Sequence, residues 1–227
     1  MKRRKKIDII IFGSGNHAKV VFSEIINYKK YNIIGFVDEI KKSKNLIIKY
    51  KNKKYYTIGK ISENVKKNNV RGIIGVGSNF IRKKIYKNII SINKKFKFEK
   101  IVSKNAIINL NVSIKEGSFI ASGVVINQGT NIGKHCIINT SSSIDHDNIF
   151  EDFSSAAPGV TTGGNVVVRK NSNIGIGSVI KHQVEIKENT VIGGNSFVIK
   201  NCDSNFLYFG SPSKKIKKIS NSENYIK

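Results

Sequence analysis

From Ile108 to Val198 the chain repeats every six residues. The column reads Ile108, Ile114, Ile120, Ile126, Ile132, Ile138, Ile144, Phe150, Ala156, Thr162, Val168, Ile174, Ile180, Ile186, Ile192 and Val198, sixteen positions without a slip, and only Thr162 is polar. The position four residues after each member is restricted too. It runs from Val112 through Ser118, Val124, Thr130, Cys136, Ser142 and Asn148 to Ser196, and every member is small or β-branched. A period of six fits neither the 3.6-residue turn of an α-helix nor the alternation of a long strand. It fits short strands broken by turns, with one large and one small inward residue per repeat. That pattern defines a hexapeptide parallel β-helix, in which three hexads make a coil and about five coils fit this stretch. Gly133, Gly163, Gly175 and Gly193 are expected to supply tight corners.

The first hundred residues follow another rule. Ile7–Phe12 reads as a buried strand, followed by Gly13-Ser14-Gly15-Asn16-His17-Ala18 and a helix to about Tyr28. A second strand spans Asn32–Val37 and ends at Asp38-Glu39. Lys41–Lys54 reads as a loop or hairpin, and Ser62–Lys67 as a short helix. Gly72–Gly77 reads as a strand, Asn79–Ile90 as a helix and Phe96–Ile101 as a last extended segment. Alternating strands and helices imply a parallel sheet. The expected division is an α/β domain over 1–101 and a β-helix domain with a C-terminal tail over 102–227.

The formal charge of +25 invites a nucleic-acid reading. The residue types argue against a specific one. The chain has 35 Lys but only 5 Arg, beside 40 Ile and 27 Asn, the triple that an AT-rich genome encodes. Arginine is the residue suited to bidentate base and phosphate contacts. Residues 1–100 carry a net +21 and residues 101–227 a net +4, which fits two domains. No apolar run is long enough to span a bilayer. The basic start is followed by an apolar stretch too short for an export signal. Two cysteines make no disulfide framework, so a reducing cytoplasm is the expected compartment.

Gly13-x-Gly15-x-x-Ala18 after a strand suits a phosphate. A glycine lets backbone approach the anion, and the helix N-terminus offers free N–H groups. Asp38 follows at a spacing that suits a ribose or sugar hydroxyl. A tight strand–helix turn without a ligand is the competing explanation. A nicotinamide dehydrogenase is disfavoured, because the unit is only one mononucleotide half of a dinucleotide fold.

In the repeat domain His146 lies off both inward columns and should face outward, flanked by Asp145 and Asp147. A carboxylate can orient an imidazole and raise its basicity. A solvated turn explains the same residues equally well. His182 lies six hexads further on, in the same column two coils away, about 10 Å off at sheet spacing. His135 reads as structural, and Cys136 as a core residue.

The order of the two halves and their motifs resemble the sialic acid O-acetyltransferase and UDP-4-amino-sugar N-acetyltransferase family of hexapeptide-repeat enzymes. The residues that carry the resemblance are Gly13–Ala18, Val37-Asp38-Glu39, Gly75-Val76-Gly77-Ser78-Asn79, Ser143-Ile144-Asp145-His146-Asp147 and Gly210-Ser211-Pro212-Ser213-Lys214. The resemblance implies a left-handed β-helix and a homotrimer. It implies acetyl transfer from acetyl-CoA to a nucleotide-linked amino sugar by direct attack, with no metal, no specific nucleic acid and no membrane partner. His146 would be the general base and Asp147 its support. The nucleotide-sugar contacts would be Gly15, Asn16, His17, Asp38, Glu39 and Gly75, and the acetyl-CoA contacts Ser155, Ile176 and Gly194. Ser155 stands where the family commonly has a second histidine, and Glu39 where a second aspartate is more usual. The lysines at 214, 215, 217 and 218 would suit the phosphates of CoA. O-acetylation of a sialic-acid-like sugar remains open, as does a non-catalytic protein that binds sugar nucleotides.

Overall fold

The computed structural model describes residues 6–40, 44–67 and 69–220. The basic start, apart from Lys6, lies outside them, as do 41–43 of the expected loop or hairpin and the last seven residues of the tail. The chain divides into two compact units, Met1–Gly77 with Ile81–Ile101, and Ser78–Phe80 with Val102–Lys227.

In the first unit the elements are β1 (Ile7–Phe12), α1 (Asn16–Ile25), β2 (Tyr31–Val37), β3 (Leu46–Tyr50), β4 (Lys53–Tyr56), α2 (Ile61–Asn64), β5 (Val70–Ile74), α3 (Asn79–Ile92) and β6 (Lys97–Phe98). A parallel sheet in the order β2-β1-β5-β6 forms its centre, and β3 and β4 make a separate antiparallel hairpin. Ile9, Ile10, Ile11 and Phe12 are fully buried, as a central strand covered on both faces requires. Helix α1 turns Ala18, Val21, Phe22 and Ile25 inward at helical spacing.

Several boundaries differ from the sequence reading. Helix α1 stops at Ile25, and Tyr28 N–H closes a turn on Ile25 O instead of continuing it. Helix α2 covers only Ile61–Asn64, because the Asn64 amide bonds back to the Ile58 and Lys60 carbonyls. Strand β5 ends at Ile74. The segment after it is held by the buried Arg82, whose Nη1 donates to the Val76 and Gly77 carbonyls at 3.0 and 2.9 Å. The extended segment at 96–101 is two short strands, Lys97–Phe98 and Ile101–Val102.

The second unit is a solenoid of two-residue strands, joined coil to coil in parallel, in the arrangement of a left-handed β-helix. Phe119 pairs with Ile137, Ile137 with Ser155, Ser155 with Asn173 and Asn173 with Val191, each step being one 18-residue coil. Both inward columns face the core as expected. From Ile120 to Val198 every member of the large column is at most 3% exposed, Thr162 included. Each such aliphatic side chain contributes about 1.5–3 kcal/mol of burial. The first member departs from the pattern. Ile108 is 36% exposed, because its strand is the last in its sheet and has no coil beyond it.

The corners are made by a third column. Every sixth residue from Asn111 to Asn195 is left-handed, with φ between 53° and 73°. Glycine or asparagine fills most of these positions, as the conformation favours. Gly133, Gly163, Gly175 and Gly193 are not among them, which corrects their expected role. A Cβ at Gly133 would fall 2.7 Å from Asp152 N, and one at Gly175 2.6 Å from Gly194 N. These glycines let successive coils touch. A hairpin of Phe206–Phe209 and Lys214–Lys218 closes one sheet, and the four lysines guard its free edge.

Candidate active site

His146 and Asp147 sit on the turn after the strand Ser143–Ile144. Asp147 occupies a left-handed corner with φ 56°, a conformation that Asp tolerates better than bulkier residues. Their side chains are 52% and 55% exposed, so a solvent-borne molecule can reach both. His146 Nδ1 lies 2.8 Å from Asp147 Oδ2. With Nδ1–H donating to that carboxylate, Nε2 keeps its lone pair and faces away from the pair. The bond to Asp147 is the leading cause that raises the His146 pKa above its usual 6.5.

Asp145, the other flanking acid, has a different task. Its Oδ1 accepts the His146 backbone N–H at 2.8 Å and the Asn127 amide at 3.0 Å. These bonds, the backbone one first, hold its carboxyl below the usual range. Asn109 donates in turn to Asn127, so a ladder at 18-residue spacing runs up one corner to the histidine turn. The sequence signal was available: Asn109, Asn127 and Asp145 share one hexad position on successive coils.

The next coil shapes the space around the imidazole. Asn165 N–H donates to His146 O and Gln183 N–H to Gly164 O, which puts Gly164 and His182 on the two following coils. A Cβ at Gly164 would fall 2.5 Å from both His146 Cε1 and Nε2. The ring therefore lies on a floor that only glycine leaves clear. His135 is fully buried and stacks on Phe153 at 5.1 Å and 8°, which fits its structural reading. Cys136 and Cys202 are buried thiols that form no disulfide among the described residues.

Ile176 and Gly194 come together as neighbours on adjoining coils, with Ile176 59% exposed and a Cβ at Gly194 only 3.0 Å from Ile176 Cγ2. Ser155 has a different environment from the one expected. It is 4% exposed, and its hydroxyl lies 3.0 Å from Asn79 Oδ1 and 2.7 Å from Asn173 Oδ1. Asn79 belongs to the segment Ser78–Phe80 of the same unit and also donates to the Asn171 and Ser172 carbonyls. Ser155 Oγ thus bridges the buried Asn79 and the half-buried Asn173.

In the first unit the expected ligand residues cluster at the carboxyl ends of β1, β2 and β5, where ligands of parallel sheets bind. Gly13 has φ 100° and Gly15 caps α1, with no atom within 4 Å of a Cβ placed there. Asn16 is exposed on the first turn of α1. Ser14 Oγ donates to Asp38 Oδ2 at 2.5 Å, tying the turn to the end of β2. Asp38 Oδ1 accepts the Ile40 N–H, and Glu39 Oε1 accepts the Ile61 N–H at the start of α2. Gly75 is buried, and a Cβ there would meet Ala18 Cα at 2.8 Å. Its bareness lets α1 pack on β5. Burial, reinforced by the Arg82 charge, lowers the His17 pKa to about 4, so this imidazole stays neutral near pH 7.

A small parallel α/β unit followed by a hexapeptide β-helix with an exposed His–Asp pair defines the class. Residues 8–89 match the family model for the PglD N-terminal domain. The chain is 32% identical over 114 residues to a serine acetyltransferase of Buchnera aphidicola, across 49% of its own length and 42% of that protein's. It thus spans less than half of that relative. Its fold is similar to the acetyltransferase domain of PglB from Neisseria gonorrhoeae, with a TM-score of 0.83 at 23% identity, covering 93% of this chain and 100% of that one. It is equally similar to a variant of GDP-perosamine N-acetyl transferase from Caulobacter crescentus, solved with CoA and GDP-perosamine, with a TM-score of 0.83 at 23% identity, covering 93% and 97%. The resemblance read from the motifs holds at the level of architecture: residues 8–89 match the PglD N-terminal domain model, and the α/β unit followed by a β-helix shares its fold with the two solved structures. Among the described residues no helix is long and apolar enough to cross a membrane.

Proposed function

We propose that this protein transfers an acetyl group from acetyl-CoA to the amino group of a nucleotide-linked amino sugar. The observation that carries the proposal is the exposed His146, bonded through Nδ1 to Asp147 with Nε2 left as a base. Acetyl-CoA, when bound, supplies an activated acetyl group. His146 Nε2 takes the proton from the acceptor amine as it attacks the thioester carbonyl, Asp147 stabilises the imidazolium that results, and the C–S bond breaks as the CoA thiolate leaves and takes that proton from the imidazolium. Ile176 and Gly194 would hold the thioester arm. Gly15, Asn16, His17, Asp38, Glu39 and Gly75 would shape the nucleotide-sugar site, Gly75 through backbone and packing alone.

The named structural neighbours support an amine acceptor over a hydroxyl, since one is an N-acetyl transferase solved with CoA and GDP-perosamine. The homotrimer and the cytoplasmic location read from the sequence belong to this proposal. So does an attraction of the lysines on Lys214–Lys218 for CoA phosphates, although Lys215 already pairs with Asp203 at 2.6 Å.

The test is release of free CoA and mass spectrometry of products, with acetyl-CoA and a panel of UDP- and GDP-linked amino sugars beside free sialic acid. An acetylated amino sugar is expected, and His146→Ala should lower turnover about 10²–10⁴-fold. Full turnover in a folded His146→Ala variant would refute the role of His146. Acetylation of sialic acid alone would move the activity to a hydroxyl acceptor.

A further inference from the structure

Position 148 breaks the chemistry of its column. The small inward column holds Val, Ser, Thr and Cys from Val112 to Ser196, and Asn148 is its one carboxamide. It stands two residues after His146 and is fully buried. The serines of this column spend their single proton in one of two ways. Ser142, Ser172 and Ser178 donate to a carbonyl fifteen residues on, in the next coil, at 3.0, 2.6 and 2.9 Å. Ser154 and Ser196 donate instead to the carbonyl three residues back, in their own turn, at 2.6 and 2.7 Å.

Asn148 does both. Its Nδ2 donates to Asp145 O, in its own turn, at 2.6 Å and to Gly163 O, in the next coil, at 3.0 Å. His146 O lies 3.4 Å from the same nitrogen, and Oδ1 accepts the Val166 N–H at 2.9 Å. The three carbonyls around the nitrogen and the one N–H at the oxygen fix which way the amide points. Asn148 thus joins the turn that carries His146 to the turn that carries Gly164, the floor of the imidazole. A hydroxyl with one proton can hold only one of them. A fully satisfied buried amide holds both with little freedom.

Resting on the proposed acetyl transfer, we propose that Asn148 is a positioning residue for that reaction. It sets His146 Nε2 on its glycine floor and does not touch substrate.

The test compares wild type, Asn148→Ser, His146→Ala and the double variant in the CoA-release assay, with melting curves for each. Serine is the residue most common in the column, so Asn148→Ser keeps the acceptor for Val166 N–H and folds. Expected is a loss in kcat of about tenfold, within the range that ~1 Å of misplacement costs, with KM for both substrates unchanged. In the His146→Ala background the same substitution should change kcat by less than about twofold, because a residue acting through His146 has nothing left to position. An equal loss in both backgrounds, or no loss in wild type, overturns the role of Asn148. Full turnover of His146→Ala would remove His146 as the base and this proposal with it, whereas no CoA release by the wild type would remove the acetyl-transfer reading itself, so the two failures are told apart.

Discussion

Replacing Gly164 by alanine should silence His146 without removing it. The added Cβ would lie 2.5 Å from Nε2 and Cε1, where ordinary contact begins at 3.4 Å. The ring must therefore retreat by about 1 Å, and a shift of that size costs on the order of 10²-fold in rate. The backbone raises no objection, since Gly164 is not among the left-handed glycines. Alanine also removes freedom from the unfolded chain, worth about 0.4–1 kcal/mol in favour of folding. The half-exposed imidazole can swing outward, so the melting temperature should hold or rise slightly. Its neighbour gives the contrast. A Cβ at Gly163 would fall 2.7 Å from His182 N, a backbone atom that cannot swing away. Gly163→Ala should therefore lose stability. The assay is CoA release at saturating acetyl-CoA and amino-sugar acceptor, with thermal unfolding of each variant. A folded Gly164→Ala protein with wild-type kcat would refute the idea that the Nε2 atom over Gly164 does the chemistry.

Two further outcomes follow from the geometry. Asp147 is the leading cause of the raised His146 pKa, and a base works only when neutral. The kcat/KM of the wild type should thus fall as pH drops through that raised value. Asp147→Asn should slide this limb to lower pH while lowering the plateau; an unmoved limb would detach Asp147 from the titration. Phe150 is the largest member of the inward column and 1% exposed. Phe150→Ala should cost about 3–5 kcal/mol by denaturant unfolding, as cavities of that size do, and a cost under about 1 kcal/mol would mean the coils collapse to fill the gap.

The solenoid was legible because its period is local. Two strictly spaced columns recur every six residues, and a coil needs nothing else to know which side is inside. The same regularity placed His146 outside and lined it up with His182. The third column was also written in the sequence, in the glycines and asparagines from Asn111 to Asn195, beside glycines at a different hexad position. Those glycines answer to close approach between coils, which is visible only once the register of 18 is in place. In the first unit the strands and helices were readable, while their ends were not. Arg82 and Asn64 bond to carbonyls several residues away, and no local propensity reports that.

The sequence by itself determined the two architectures, the outward histidine and its acidic neighbours. Periodicity and strand–turn–helix order are properties of neighbouring residues, and physical chemistry acts on them directly. Only the tertiary structure decided that Ser155 is sealed between two asparagines and that Gly164 and Asn148 shape the seat of His146. Those facts rest on contacts that local order does not set: Asn173 lies 18 residues from Ser155, Gly163 lies 15 from Asn148, and Asn79 lies 76 from Ser155. They exist only after folding brings such distant positions into contact, and a list of residues contains no such distance.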